Sequence, residues 1–372
     1  MGETRLKIQH IITGLSAGGA QSALHTLIRH SRTSCVHSVI SLKDDAPMGP
    51  RISRLGVTVR SVQLQRTGPL GFGQVVAEIR RFEPDVVHTW LYHADLLGGL
   101  AARALRVPAV WHLHVSDLDP SGLPLATQVI ARSCVAASHV LPKHIVACSE
   151  ATARFHASVG YAPMEVIDNG VDTERFTPER KHAGALESDR FTVGLVARFD
   201  PQKDVRTFVE AAKRFNVPNA RFVLAGEGMD DSNETLTRWI GDDSRFVRLP
   251  FRSDIENLYP HFDVFSLSSV SEASSMSLLE AMASGAIPVL TDVGDARRVV
   301  ASAGRVVPPR DPQALADAWK AVHHESERQR MERSREARER IVNDFSAQEN
   351  ARRFEALYRR VVSRPWRSSR GR

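Results

Sequence analysis

Short apolar runs alternate with helical stretches along this chain, stop once, and then start again. That double alternation leaves few folds open. The first series of runs occupies Leu6–Thr13, Val36–Leu42, Val57–Leu64, Val86–Trp90, Val110–His114, His144–Cys148 and Met164–Asp168. Each is rich in β-formers and is read as a strand. Helical stretches lie between most of them, the first from Gln21 to about His30. Such alternation predicts a parallel, doubly wound α/β domain. It stops at Asn169-Gly170-Val171-Asp172, where Asn-Gly is turn chemistry, and polar sequence follows to Asp189. The alternation resumes with strands at Phe191–Ala197, Arg221–Gly226, Phe246–Pro250, Val264–Ser269 and Gly304–Pro308 and a helix at Val205–Phe215. Pro312 to about Arg340 reads as helical and heavily charged. Glu349–Val362 reads as a final helix with Phe354, Leu357, Tyr358 and Val361 on one side. The predicted organisation is a domain over 1–172, a linker over 173–189, a second domain over 190–345, and a closing helix with a basic tail over 346–372.

A length of 372 residues suffices for two cores. With 42% hydrophobic and 25% charged residues the composition is that of an ordinary globular protein. The net charge of +6 is concentrated at the end, because Ala351–Arg372 hold eight arginines and one acid, Glu355. The basic character therefore belongs to a tail, and no nucleic-acid partner is expected. Cys35, Cys134 and Cys148 are scattered and odd in number, which fits a reducing cytoplasm better than a disulfide framework or zinc site. No apolar run approaches the roughly 18 residues of a spanning helix, and the N-terminus has no signal-peptide core. These features predict a cytoplasmic protein. The terminal S-R-P-W-R-S-S-R-G-R has two readings: a solvated terminus, or a peripheral contact with anionic headgroups at the inner face of the plasma membrane.

Chemistry concentrates in Val270–Leu290, where a polar loop carrying Glu272 leads into a short helix carrying Glu280. Ser274 or Ser275 can cap that helix, and Gly285 with Pro288 marks its stop. A helix N-terminus suits a phosphate, and Glu280, read as a carboxylate on the first turn, could accept hydrogen bonds from ribose hydroxyls attached to that phosphate. After the strand Phe191–Ala197 comes Arg198-Phe-Asp-Pro-Gln-Lys203-Asp204. Its arginine can fork onto phosphate oxygens, and its lysine adds a mobile point charge. The first strand leads into Gly14-Leu-Ser-Ala-Gly18-Gly19-Ala20, a glycine loop before a helix. It lacks the G-x-G-x-x-G pattern of a dinucleotide site. Two strands end in histidine-bearing loops, with His88 and His93 on one and His112 and His114 on the other. His88 and His93 lack a nearby third ligand, so no metal is expected there. Asp117-Leu118-Asp119 spells a D-x-D triplet inside a polar loop of the first domain and is read as a chance match.

Taken in order, these segments resemble the retaining glycosyltransferases of the GT-B fold, family four of the sequence classification (glycosyl transferases group 1). The family's paired glutamates, eight apart, are followed by A-M-A-x-G-x-P-V, similar to Ala281-Met282-Ala283-Ser284-Gly285-Ala286-Ile287-Pro288-Val289 with one extra residue before the proline. The chain departs from the family after Glu272, where Ala273, Ser274, Ser275 and Met276 replace a glycine-containing loop. The segment from Val166 to Pro178 resembles the family's interdomain junction, and the loops at Gly226-Glu-Gly228 and Asp292-Val-Gly294-Asp295 its nucleotide and glycine loops.

The resemblance implies two Rossmann-like, doubly wound parallel-sheet domains facing a central cleft, the last helix returning to the first. It implies transfer of a hexosyl unit, with retention, from a nucleotide-diphosphate sugar to a glycan or lipid-linked acceptor in bacterial envelope or exopolysaccharide synthesis. Catalytic roles fall to Glu272, Arg198, Lys203 and His114. The sugar donor is bound by Glu280, Gly18, Gly19, Gly226, Phe251, Arg252, Ser277 and Leu278, with His88 and His93 on the acceptor side. No metal or other cofactor is implied. Two other readings stay open: a non-catalytic nucleotide-sugar-binding or partner subunit of the same fold, and a sugar-nucleotide epimerase.

Overall fold

The computed structural model describes residues 5–16, 18–116, 125–179 and 190–363. The chain divides into two compact units, 1–170 with 347–372, and 171–346.

The first unit is built on a seven-stranded sheet: β1 (Leu6–Ile12), β2 (Cys35–Ser41), β3 (Thr58–Ser61), β4 (Val86–Trp90), β5 (Ala109–Leu113), β6 (His144–Ala147) and β7 (Glu165–Val166). Its order is β3-β2-β1-β4-β5-β6-β7, and every pairing is parallel. β4 and β5 are buried along their whole length, as a strand covered on both faces must be. β3 and β7 are shorter than their apolar runs suggested, because each lies at a sheet edge with one neighbour only. The helix Ala347–Ser363 belongs to this unit. It buries Phe354, Leu357, Tyr358 and Val361 there and donates from Asn350 Nδ2 to the carbonyl of Asp168 at 2.6 Å.

The second unit has a six-stranded parallel sheet: β8 (Phe191–Val196), β9 (Ala220–Ala225), β10 (Phe246–Leu249), β11 (Val264–Leu267), β12 (Ile287–Thr291) and β13 (Arg305–Val307). Its order is β10-β9-β8-β11-β12-β13. Phe208, Phe215, Phe222 and Trp319 are fully buried and pack together in tilted and edge-on contacts, and Trp319 Nε1 donates to Ser266 Oγ at 3.0 Å. The sequence reading places no strand at Ile287–Thr291, because Pro288 reads there as a stop signal. Proline is tolerated because it lies before the pairing with β13 begins at Val289, so its missing N–H breaks no ladder on that side. The charged stretch after Pro312 is two helices, Pro312–His323 and Glu327–Asp344, the second opened by a capping box on Ser326 and Gln329. Residues 173–179, expected in the linker, are bound into this unit. Arg175 reaches Glu256 at 2.7 Å, Phe176 packs on Tyr259, and Arg338 donates to the carbonyls of Phe176 and Thr173. Residues 180–189, Asp117-Leu118-Asp119 and the tail from Arg364 lie outside the described residues.

Candidate active site

In open parallel sheets ligands gather beyond the carboxyl ends of the strands, where the strand order reverses. In the second unit that point lies between β8 and β11. The Arg198–Asp204 loop leaves the first of these strands and the Glu272 loop leaves the second.

The two loops are stitched together. Val270 N–H donates to the Gln202 carbonyl at 2.8 Å, and the buried Ser268 hydroxyl meets the carbonyls of Lys203 and Asp204 at 3.0 and 2.8 Å. Across the seam Lys203 Nζ lies 2.5 Å from Glu272 Oε1, which also accepts from Ser269 Oγ at 2.7 Å. Both charged side chains are mostly buried, with 21% and 14% of their surfaces open. Ser269 is itself fixed, because Thr291 Oγ1 donates to its carbonyl at 2.6 Å. Arg198 is half exposed and 3.7 Å from Asp200, a loose pair that leaves its guanidinium available at the rim.

Two glycines let the backbones come this close. Gly226 has φ 141°, and a Cβ there would sit 2.0 Å from the carbonyl oxygen of Ala197, the residue before Arg198. Gly294 has φ 58°, and its Cβ would meet the carbonyl oxygen of Glu272 at 2.1 Å. Any other residue at either place would push a site loop out of position.

Glu272 leads into the helix Met276–Ala283, whose N-cap is Ser275: its hydroxyl accepts from Leu278 N–H at 3.3 Å. Ser277 Oγ lies 3.1 Å from the same hydroxyl. Leu278 is buried and lines a small cavity under the loop with Leu267, Leu290, Val293 and Ser274. Glu280 falls in the second turn of this helix, not the first, and accepts from the buried Tyr259 hydroxyl at 2.8 Å. Nearby, Phe251 is exposed, and Arg252 holds Asp254 with two hydrogen bonds of 3.0 and 2.6 Å, which lower the Asp254 pKa. Arg175 joins Glu256 to the Ser253 carbonyl, tying the 251–256 corner to the start of the unit.

The first unit reverses its strand order between β1 and β4. Gly18 caps and Gly19 opens the helix Gly19–Ser31 after β1, and a Cβ at Gly18 would meet Gln21 Oε1 at 2.6 Å. After β4, Leu91 adopts φ 73°, ψ 152°, a region almost reserved for glycine, which costs about 1–3 kcal/mol. That turn delivers His93 to the first turn of the helix Tyr92–Leu105, where it is half-buried; burial, and then the charge of Lys43, lower its pKa. His114, just past β5, is partly buried and held to about 3 by burial.

His88, expected on the acceptor side, has no exposed surface. It lies within β4, bonded through Nδ1 to Tyr358 OH at 2.8 Å and packed against His10, Trp90, His112 and Phe354. It presents no atom to a substrate in this structure and instead secures the last helix to the sheet. Among the described residues no group of three or more His, Cys, Asp or Glu is placed to hold a metal ion.

The sequence reading misses Ser269 and Tyr259, which donate hydrogen bonds to Glu272 and Glu280. It also misses His10 and His37, which join the buried histidine cluster. Tyr259 carries no local signal, since its partner lies 21 residues away on another element.

Residues 17–175 match the family model described as glycosyltransferase family 4, and residues 190–325 the one described as glycosyl transferases group 1. The chain belongs to this family of retaining glycosyltransferases. It is 26% identical over 297 residues to an Escherichia coli UDP-Gal:alpha-D-GlcNAc-diphosphoundecaprenol alpha-1,3-galactosyltransferase, covering 75% of this chain and 76% of the relative. It is 28% identical over 332 residues to a GDP-mannose-dependent alpha-mannosyltransferase of Mycobacterium tuberculosis, covering 83% and 85%. Anabaena HepE, solved with UDP and glucose, shares the GT-B fold, with TM-score 0.82 and 21% identity over 96% of this chain and 100% of that one. As a member of the family the chain is a glycosyltransferase that takes its sugar from a nucleotide sugar. No helix among the described residues is long and apolar enough to cross a membrane.

Proposed function

We propose that the chain moves a hexosyl unit from a nucleoside-diphosphate sugar to a glycan or lipid-linked acceptor in the synthesis of a bacterial exopolysaccharide, lipopolysaccharide or other envelope glycan. The observation that carries this reading is the Lys203–Glu272 ion pair, which spans the two loops at the strand-order reversal of the second unit. A diphosphate arriving there competes with Glu272 for the lysine, and the half-exposed Arg198 adds a second cation. Glu272, released from part of its ion pair, becomes an acceptor for hydroxyls of the transferred sugar. Glu280 takes the ribose, with Gly226, Phe251, Arg252, Ser277 and Leu278 around the nucleotide.

Retention follows from front-face attack. The acceptor oxygen bonds to the anomeric carbon as the bond to the diphosphate oxygen breaks, and the acceptor proton passes to the departing diphosphate. Charge develops on that leaving group, and fixed cations stabilise it most where water is scarce. Arg198 and Lys203 supply those cations from the protein, so the chemistry calls for no metal. The relatives' names support the substrate class: one acts on a diphosphoundecaprenol-linked sugar, another uses GDP-mannose.

The test is release of nucleoside diphosphate from UDP-, GDP- and ADP-hexoses, with and without a polyprenyl-diphosphate-linked sugar and with EDTA. The proposal expects release with one base, dependent on acceptor and indifferent to EDTA. Binding with no turnover on any acceptor, or loss of turnover in EDTA, contradicts it.

A further inference from the structure

We infer that Tyr259 is a positioning residue that presents Glu280 to the ribose of the sugar donor. The inference rests on the reading of Glu280 as the ribose carboxylate.

The terminal torsion of a glutamate is broad, so its carboxylate takes its plane from its partners. Tyr259 is one such partner, donating to Oε2 at 2.8 Å from a side chain with no exposed surface. The phenol cannot swing away. Its ring is met edge-on by Phe176, Phe262 and Phe265, with centroids 5.9, 5.9 and 6.0 Å distant. Burial, and then the charge of Glu280, push its pKa well above the ordinary tyrosine value, so it stays a hydrogen-bond donor at any working pH. A hydrogen bond from a neutral buried donor to a charged acceptor is among the stronger kind.

The surroundings favour orientation over mere packing. Tyr259 opens the turn that follows the 251–256 corner, and Phe176, which braces its ring, is the neighbour of Arg175, which ties that corner down through Glu256 and the Ser253 carbonyl. Corner, phenol and carboxylate are thus one connected piece. Two vicinal ribose hydroxyls need a carboxylate in one plane, and this assembly sets that plane before the ligand arrives.

The experiment compares affinities of the full chain for the nucleoside diphosphate it binds best among UDP, GDP and ADP, and for its 2′- and 3′-deoxy forms. The proteins are wild type, Tyr259→Phe, Glu280→Gln and the double variant, with melting temperature followed in parallel. The expected result is that Glu280→Gln erases most of the preference for ribose, and that Tyr259→Phe lowers it by about tenfold. In the Glu280→Gln background Tyr259→Phe should change the preference no further. A purely structural tyrosine would weaken all the nucleotides equally and leave the preference intact, which overturns the inference. If Glu280→Gln itself leaves the preference intact, the ribose reading of Glu280 falls and takes the inference with it. The two failures are therefore distinguishable.

Discussion

In the first unit His10, His37, His88 and His112 sit inside neighbouring strands, fully or nearly buried. In the second unit the corresponding polar groups, Arg198, Lys203, Glu272 and Glu280, sit beyond the strands or on the helix that follows. Both sheets are parallel and both reverse order near their middle, so the placement of polar groups separates the two, not the topology. Inside the strands, three of these four rings hydrogen-bond to neighbours, and His112 packs among aromatic rings with neither ring nitrogen bonded among the described residues. His10 Nε2 lies 3.0 Å from His37 Nδ1, Trp90 donates to His10 Nδ1 at 3.2 Å, and His88 meets Tyr358 at 2.8 Å. On a loop past the strand the same kind of group keeps surface in reserve for a ligand. Polar residues are not evidence of a site until their depth along the strand is known.

Four measurements test that contrast. The largest effect is expected from Lys203→Ala, which should lower kcat about 10²–10³-fold, with a smaller loss of stability from leaving the mostly buried Glu272 without its lysine. A large loss of stability with preserved kcat would put Lys203 with the structural histidines. His88→Ala should do the reverse, costing about 3 kcal/mol in a denaturant titration through the lost packing and the orphaned Tyr358 hydroxyl, with nucleotide affinity unchanged. Gly226→Ala should fall between the two. It strains the backbone by about 1–3 kcal/mol and displaces the loop before Arg198, so stability and nucleotide affinity decline together.

Counted per histidine, the smallest effect concerns pH. Burial holds His10, His88 and His112 well below the usual 6.5, and His37 at about 4. Below about pH 6.5 the unfolded chain takes up protons that the folded one refuses. Stability present above that pH is therefore lost as pH falls, by up to about 1.4 kcal/mol per pH unit for each histidine. Denaturant midpoints between pH 7.5 and 5.5 measure the slope, and His37→Gln should flatten it.

This contrast also explains what could be read from the sequence. The strands were legible because both sheets bury their centres, so the runs around β4 and β8 are dominated by β-formers, with Val86, Val87 and Trp90 in the first and Phe191, Val193, Leu195 and Val196 in the second. The edges were not, since β3 and β7 lose residues that no neighbour pairs. Lys203 and Glu272 were legible as motif residues, but their 2.5 Å contact across 69 residues was not. His88 and His93 look alike in sequence, and only the reach of β4 buries the first and leaves the second half open. Tyr259 was invisible because hydroxyl and carboxylate meet through tertiary packing alone.

We propose the Lys203–Glu272 seam as the place where the diphosphate of the sugar donor lands. Calorimetric titration of wild type and Lys203→Ala with the preferred nucleoside diphosphate, and with the same nucleoside lacking phosphates, tests it directly. The substitution should weaken the diphosphate by about tenfold or more and leave the nucleoside unchanged. Equal losses for both ligands, or none for either, would contradict it.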